Sequence, residues 1–174
     1  RDGEKLATDL YLPAKDGEVA EGKFPAVMER TPYDKEGKVN DGRYFARRGY
    51  VCILQDVRGR FESEGIWHPF AKEAPDGFDS VEWAAAQPWC DGNIGTMGGS
   101  YCGSDQSALA TLNPPHLKAM VIAVGTSNYH TSSMRQNGAL ELRFYVYAYR
   151  MATTSPEALA NPTLKAALDA DFAR

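Results

Sequence analysis

Asn93-Ile94-Gly95-Thr96-Met97-Gly98-Gly99-Ser100-Tyr101-Cys102-Gly103 is the stretch on which the reading of the fold turns. Asn93 to Met97 reads as a short strand. Two glycines and a serine follow, then a helix from Tyr101 to Leu112. This is the setting of a nucleophile elbow, a turn so tight that the serine is strained and its neighbours must lack bulk. Gly98, two residues before the serine, fits G-x-S-x-G. The position two after it is Cys102, and Gly103 comes one residue late. A plain Gly-rich turn is the competing reading. The spacing is not G-x-G-x-x-G, and Gln106 to Leu140 contains no Asp or Glu. A dinucleotide fold expects an acid roughly 20 residues on. No lysine is near enough to make a phosphate loop. With Cys102 as nucleophile the flanking glycine positions would hold Ser100 and Ser104, so Ser100 is the better candidate.

The rest of the chain supplies strands and helices around this turn. Leu6 to Leu12 alternates in polarity and ends at Pro13, which predicts a strand. Lys15 to Lys23 reads as a turn. Phe24 to Glu29 is a second strand, broken by Arg30-Thr31-Pro32-Tyr33-Asp34. Asp41 to Arg48 is a short helix stopped by Gly49. Tyr50 to Gln55 is a near-continuous apolar run, the pattern of a buried parallel strand. Asp56 to His68 is a polar loop, and Asp76 to Gln87 a helix ended by Pro88. Leu117 to Val124 reads as another buried strand. Alternating strands and helices predict an α/β fold with a mostly parallel sheet flanked by helices. Near Thr126 the composition changes. Leu140 to Met151 is aromatic with helical period, and Ser155 to Phe172 is Ala-rich and amphipathic. The domains expected are therefore 1–125 and 126–174, the second starting a helical insertion or cap.

Composition narrows the function. The 174 residues carry 19 Lys+Arg and 23 Asp+Glu, a net charge of −4. That weakly acidic balance argues against nucleic acid as a partner. No stretch approaches the roughly 20 apolar residues of a membrane span, and no targeting segment marks a compartment. Cys52, Cys90 and Cys102 make no C-x-x-C, so no metal site is expected. A Cys90–Cys102 disulfide stays open, as does homo-oligomer formation.

A serine nucleophile needs a base and an orienting acid, in this architecture in the order serine, acid, histidine. After Ser100 the histidines are His116 and His130, and the only acid before either is Asp105. Five residues along one helix, Asp105 points about 140° away from the serine. A complete triad in this order does not fit within 174 residues. The oxyanion donors are the Tyr101 backbone N–H and, from the loop after an early strand, the Tyr33 hydroxyl. An interfacial tyrosine is the competing reading of Tyr33.

Arg30-Thr-Pro-Tyr33, Gln55-Asp-Val-Arg-Gly-Arg-Phe-Glu-Ser-Glu-Gly65, Gln87-Pro-Trp and Gly98-Gly-Ser-Tyr-Cys-Gly103 follow one another in that order. Together they resemble the X-prolyl dipeptidyl-peptidase and cocaine-esterase-like (CocE/NonD) branch of the α/β-hydrolases, over roughly residues 1–150. That branch carries G-x-S-Y-x-G, so the late glycine is a family feature. The resemblance implies Ser100 as the acylated nucleophile, with the Tyr33 hydroxyl and Tyr101 N–H as the oxyanion hole. It implies no cofactor. It also implies a helical cap inserted after the central strands, further catalytic strands and a C-terminal jelly roll, with the acid and histidine after the cap. The chain then reads as the front of a longer enzyme, inactive alone and poorly soluble through an exposed sheet edge.

The expected function is that of a serine hydrolase, cleaving an ester or short peptide through an acyl-enzyme. The rivals are a hydrolase-like binding protein without catalysis and a nucleotide-dependent oxidoreductase using the Gly95 to Gly103 turn. Asp56 and Arg58 are expected to brace their loop. Trp67 and His68 are expected at the surface, Trp83 and Trp89 in packing, and His116 in a loop. Some of Tyr145, Tyr147 and Tyr149 are expected to line a cap interface or substrate pocket.

Overall fold

A computed structural model describes residues 1–131 and 133–172, with the backbone alone at 172. The chain forms two compact units, Arg1–Gly125 and Thr126–Arg174. In the first, β1 (Thr8–Tyr11) precedes a small hairpin of β2 (Ala14–Lys15) and β3 (Glu18–Val19). Next come β4 (Phe24–Thr31), a 3-10 turn, α1 (Val39–Ala46), β5 (Val51–Asp56) and α2 (Glu73–Ala85). The unit closes with β6 (Cys90–Gly99), α3 (Tyr101–Ala110) and β7 (Leu117–Ala123). The sheet order is β1-β5-β4-β6-β7. Only β1 runs antiparallel, against β5.

That order fixes where the helices lie. β4 connects sideways to β5, and β5 then crosses over β4 to reach β6. Right-handed crossovers moving in opposite directions place their helices on opposite faces. α1 therefore covers one face, while α2 and α3, both on connections moving toward β7, share the other and pack on each other. The core is Ala26, Met28, Val51, Ile53, Val81, Ala84, Cys90, Ile94 and Leu109. Val81 and Ala84 lie on the stripe of α2 that also buries Glu73, Asp76, Gly77 and Ser80, the spacing of one helix face.

The structure moves several expected boundaries. β4 runs on through Arg30 and Thr31, both buried, because each pairs with a residue of β5 before Pro32 ends the ladder. α2 starts at Glu73, not Asp76. Pro75 falls on its third residue, where no intrahelical N–H bond is needed. β6 starts at Cys90, not Asn93. Asp91-Gly92 bulges out between the pairs Phe24–Cys90 and Ala26–Ile94 instead of ending the strand. The larger correction concerns Leu117–Val124. β7 forms as expected but is not buried: Met120, Val121 and Ile122 are all exposed, Val121 at 67%. It lies at the sheet edge, with β6 as its one strand neighbour among the described residues. The three cysteines are buried and free, so no Cys90–Cys102 disulfide forms. Trp83 is exposed and meets Trp89 edge-on.

The second unit holds a short hairpin, β8 (Arg135–Gln136) and β9 (Ala139–Leu140), followed by α4 (Leu142–Ala152), α5 (Pro156–Ala160) and α6 (Pro162–Phe172). The expected single amphipathic stretch from Ser155 is two helices. Asn161 breaks it: its side chain accepts the Leu164 N–H and Pro162 opens α6. Tyr149 donates to Asp171, joining α4 to α6, while Tyr145 is exposed.

Candidate active site

Ser100 is exposed between β6 and α3, with φ 58° and ψ −118°, a left-handed backbone on a non-glycine residue. Such strain persists where surrounding bonds hold it. The Ser100 N–H donates to the last β7 carbonyl, Ala123, at 2.9 Å, and its own carbonyl accepts the N–H groups of Gly103 and Ser104 at 3.0 Å. The Tyr101 N–H opens the helix and is left over from the helical ladder.

The irregular glycine spacing has a steric cause. A Cβ on Gly98 would sit 2.5 Å from the Cys102 Cβ and 2.7 Å from its carbonyl oxygen. Gly98 is thus what lets Cys102 occupy the position two after the serine. Gly103 is needed because α3 passes close to the chain after β7. A Cβ there would lie 3.1 Å from both the Ala123 oxygen and the Gly125 Cα. Burial pushes the Cys102 thiol up to about 12, which keeps it neutral. Its environment is the opposite of the electropositive, accessible one that makes a reactive cysteine.

Tyr33 follows β4, and Ser100 follows the parallel neighbour β6. The chain leaves β4 toward one edge of the sheet and β6 toward the other. Ligands of open α/β sheets bind at such a switch point, outside the carboxyl ends of the strands. The Tyr33 ring is 40% exposed and meets the Tyr101 ring edge-on, with centroids 6.4 Å apart. Its loop is braced from both sides. The Tyr33 N–H donates to Thr31 Oγ1, and Arg60 Nε donates to the Pro32 carbonyl, each at 3.0 Å. Arg58 bonds both oxygens of Asp76, and Asp56 accepts the Lys35 N–H. Asp56 and Arg58 therefore brace the loop, as their place after a buried strand predicts.

Neither His116 nor Asp105 completes the site. His116 pairs with Glu82 at 2.7 Å, and its carbonyl accepts the Ile94 N–H. Ile94 lies midway along β6, six residues before Ser100 and so roughly 20 Å from it at about 3.3 Å per residue. Asp105 is buried on α3, and burial holds its carboxyl well above the usual range. His68 is exposed, and His130 belongs to the second unit. Among the described residues no group of three or more His, Cys, Asp or Glu is arranged to hold a metal.

One cluster has no counterpart in the sequence motifs. Tyr101 is 2% exposed, and its hydroxyl donates to Glu73 Oε1 at 2.7 Å. The Tyr101 hydroxyl oxygen in turn accepts the Phe70 N–H at 3.0 Å and the Trp67 Nε1–H at 3.2 Å. Phe70 stacks on the Tyr101 ring at 4.1 Å. Trp67 is thus half-buried beside the elbow, not at the surface, because the Tyr101 hydroxyl gives its indole N–H a partner. Beneath, Arg30 Nη1 lies 2.9 Å from Glu73 Oε2 and donates to the Glu73 carbonyl. The available signal was Arg30 itself: a charge at the end of an apolar strand requires a buried partner.

A five-stranded, mostly parallel sheet with an elbow serine at its carboxyl edge defines an α/β-hydrolase. The model of the family described as X-Pro dipeptidyl-peptidase (S15 family) matches residues 2–173, and the chain belongs to that family. It is 36% identical over 149 residues to the cocaine esterase of Rhodococcus sp. (strain MB1 Bresler), covering 82% of this chain and 25% of the esterase. It is 28% identical over 180 residues to a putative Xaa-Pro dipeptidyl-peptidase of Bacillus anthracis, covering 80% and 30%. Among solved structures, a CocE/NonD family hydrolase from Staphylococcus aureus superposes with a TM-score of 0.76 at 32% identity, covering 90% of this chain and 32% of that one. The chain thus spans about a quarter to a third of the length of these relatives.

Proposed function

We propose that residues 1–125 supply the nucleophile and oxyanion hole of a serine hydrolase acting on esters or short peptides. The observation that carries this reading is Ser100: exposed, with positive φ, at the carboxyl end of β6 beside the strand that leads to Tyr33. Its Oγ attacks the carbonyl carbon while a histidine takes the hydroxyl proton. Negative charge gathers on the carbonyl oxygen, which the Tyr101 N–H and the Tyr33 hydroxyl receive. The C–O or C–N bond then breaks, the leaving group takes the proton from the histidine, and the acyl group stays on Ser100 until water removes it. No cofactor enters these steps.

The histidine and its acid come from chain beyond residues 1–174. Motif order supports this, and so does the distance of His116 from Ser100. Residues 126–174 are the opening of a helical cap. The names of the relatives favour an acyl ester or a peptide with proline second as substrate. The test is turnover of p-nitrophenyl acetate. The full-length enzyme hydrolyses it and Ser100→Ala loses roughly three orders of magnitude or more, while residues 1–174 alone do not turn it over. Hydrolysis by Ser100→Ala at the wild-type rate would remove the assignment.

A further inference from the structure

We propose that Glu73 is a positioning residue for the oxyanion hole, acting through the Tyr101 hydroxyl to hold the Tyr101 backbone N–H in place. The inference rests on the reading of that N–H as an oxyanion donor. Tyr101 follows Ser100, whose ψ of −118°, beside a left-handed φ of 58°, sets the direction of the peptide plane between them. Strain of that kind relaxes unless the residues around it are fixed. On the helix side, the bonds of Gly103 and Ser104 to the Ser100 carbonyl do the fixing. On the other side the Tyr101 side chain does it, gripped at its far end.

That grip uses the whole hydrogen-bonding capacity of one phenol. Its hydroxyl gives its proton to Glu73 Oε1 and receives two N–H groups, from Phe70 and Trp67. A phenol that donates to a carboxylate is polarised and becomes a better acceptor, so the three bonds strengthen one another. Glu73 is 3% exposed, and while one of its oxygens receives the phenol proton the other lies 2.9 Å from Arg30. Arg30 is held in turn: its Nε donates to Gln55 Oε1, which also accepts from Ser80. The chain of contacts runs from the centre of the sheet through Arg30, Glu73 and the phenol to the peptide next to the nucleophile. It also latches the Trp67–Phe70 segment, so the loop beside the cleft and the oxyanion donor share one anchor.

Catalysis is sensitive to the direction of a donor as well as to its presence, since the oxygen must be met where charge develops. The experiment is steady-state kinetics and arylboronic acid inhibition of the full-length enzyme, comparing Tyr101→Phe, Glu73→Ala and Glu73→Gln. A boronate bound to Ser100 is a tetrahedral anion and reads the oxyanion hole directly. Tyr101→Phe is expected to lower kcat roughly tenfold to a hundredfold with KM nearly unchanged, and to weaken the boronate by a similar factor. Glu73→Gln keeps an acceptor for the phenol and Glu73→Ala does not, while both remove the charge facing Arg30. Glu73→Gln is therefore expected to retain more turnover and tighter boronate binding than Glu73→Ala. A Tyr101→Phe enzyme with a lower Tm but wild-type kcat and boronate affinity would overturn the proposal and leave a purely structural contact. That result holds even where Glu73→Ala fails to fold. Failure of the underlying reading shows separately, as turnover that survives Ser100→Ala.

Discussion

Two apolar strands, β5 and β7, are nearly alike as sequence and opposite in surroundings. Val51-Cys-Ile-Leu-Gln-Asp56 is buried at every position, whereas Leu117-Lys-Ala-Met-Val-Ile-Ala123 is exposed at every position after the first. Among the described residues β5 has β1 and β4 as neighbours, while β7 has β6 alone. Pro25, Tyr44, Phe45, Ile94, Ala119 and Val121 line an open apolar trough on the sheet face that α1 leaves uncovered. Apolar runs of this kind report what a strand is able to bury, not what covers it in the residues at hand. The elbow sits between the two regimes, its serine N–H bonded to the end of β7 and its tyrosine anchored toward β5 through Arg30 and Gln55.

Truncation should separate the two strands most sharply. In the 174-residue chain Ile53→Ala is expected to cost about 2–5 kcal/mol, as large-to-small changes in packed cores do. Val121→Ala should stay within about 0.5 kcal/mol, the range of exposed sites. Urea unfolding of both measures the contrast, and equal losses would break the comparison. Gly98→Ala tests the elbow between them. With its Cβ forced against Cys102, it should lose roughly 1–3 kcal/mol, and the intact enzyme should lose most of its turnover.

Asp105 allows a pH test on the buried side. Its carboxyl is raised by burial, so the folded state holds a proton that the unfolded chain releases above the usual carboxylate range. Stability from this group is fully present at low pH and declines as pH rises toward its folded value. Asp105→Asn, which cannot ionise, should therefore gain in Tm relative to wild type at pH 7 to 8. The gain should shrink toward pH 4. A gain independent of pH would mean that Asp105 titrates normally. The smallest change in folding energy is expected for Val121→Lys, which should leave Tm nearly unmoved and reduce aggregation of the 174-residue chain in light scattering, since a charge blunts an open edge.

How much of this was legible follows from the range of each signal. The strand-turn-helix at Ser100 and the parallel alternation around it are local patterns, and they appear where the sequence puts them. The late glycine at Gly103 is legible as a motif, but its reason is not. The crowding partners Ala123 and Gly125 lie some twenty residues away, and only the fold brings them to α3. Tyr33 is marked by its loop after an early strand, where an interfacial tyrosine is a competing reading, and the resemblance favours the oxyanion role. Glu73 escapes because nothing local marks it. It follows a loop, belongs to no motif, and gains its role from Arg30 on β4 and Tyr101 on α3. The exposure of β7 is legible only in part: an exposed sheet edge is expected, but the apolar residues of this strand look like those of β5 until neighbours are assigned.

The central claim is that Ser100 is the nucleophile, and covalent labelling reaches it most directly. The full-length enzyme should be treated with a fluorophosphonate probe, digested, and mapped by mass spectrometry. The adduct should fall on the peptide containing Gly98-Gly99-Ser100-Tyr101, on the serine oxygen, and should vanish in Ser100→Ala. An adduct on another residue, or undiminished labelling of Ser100→Ala, would contradict the account.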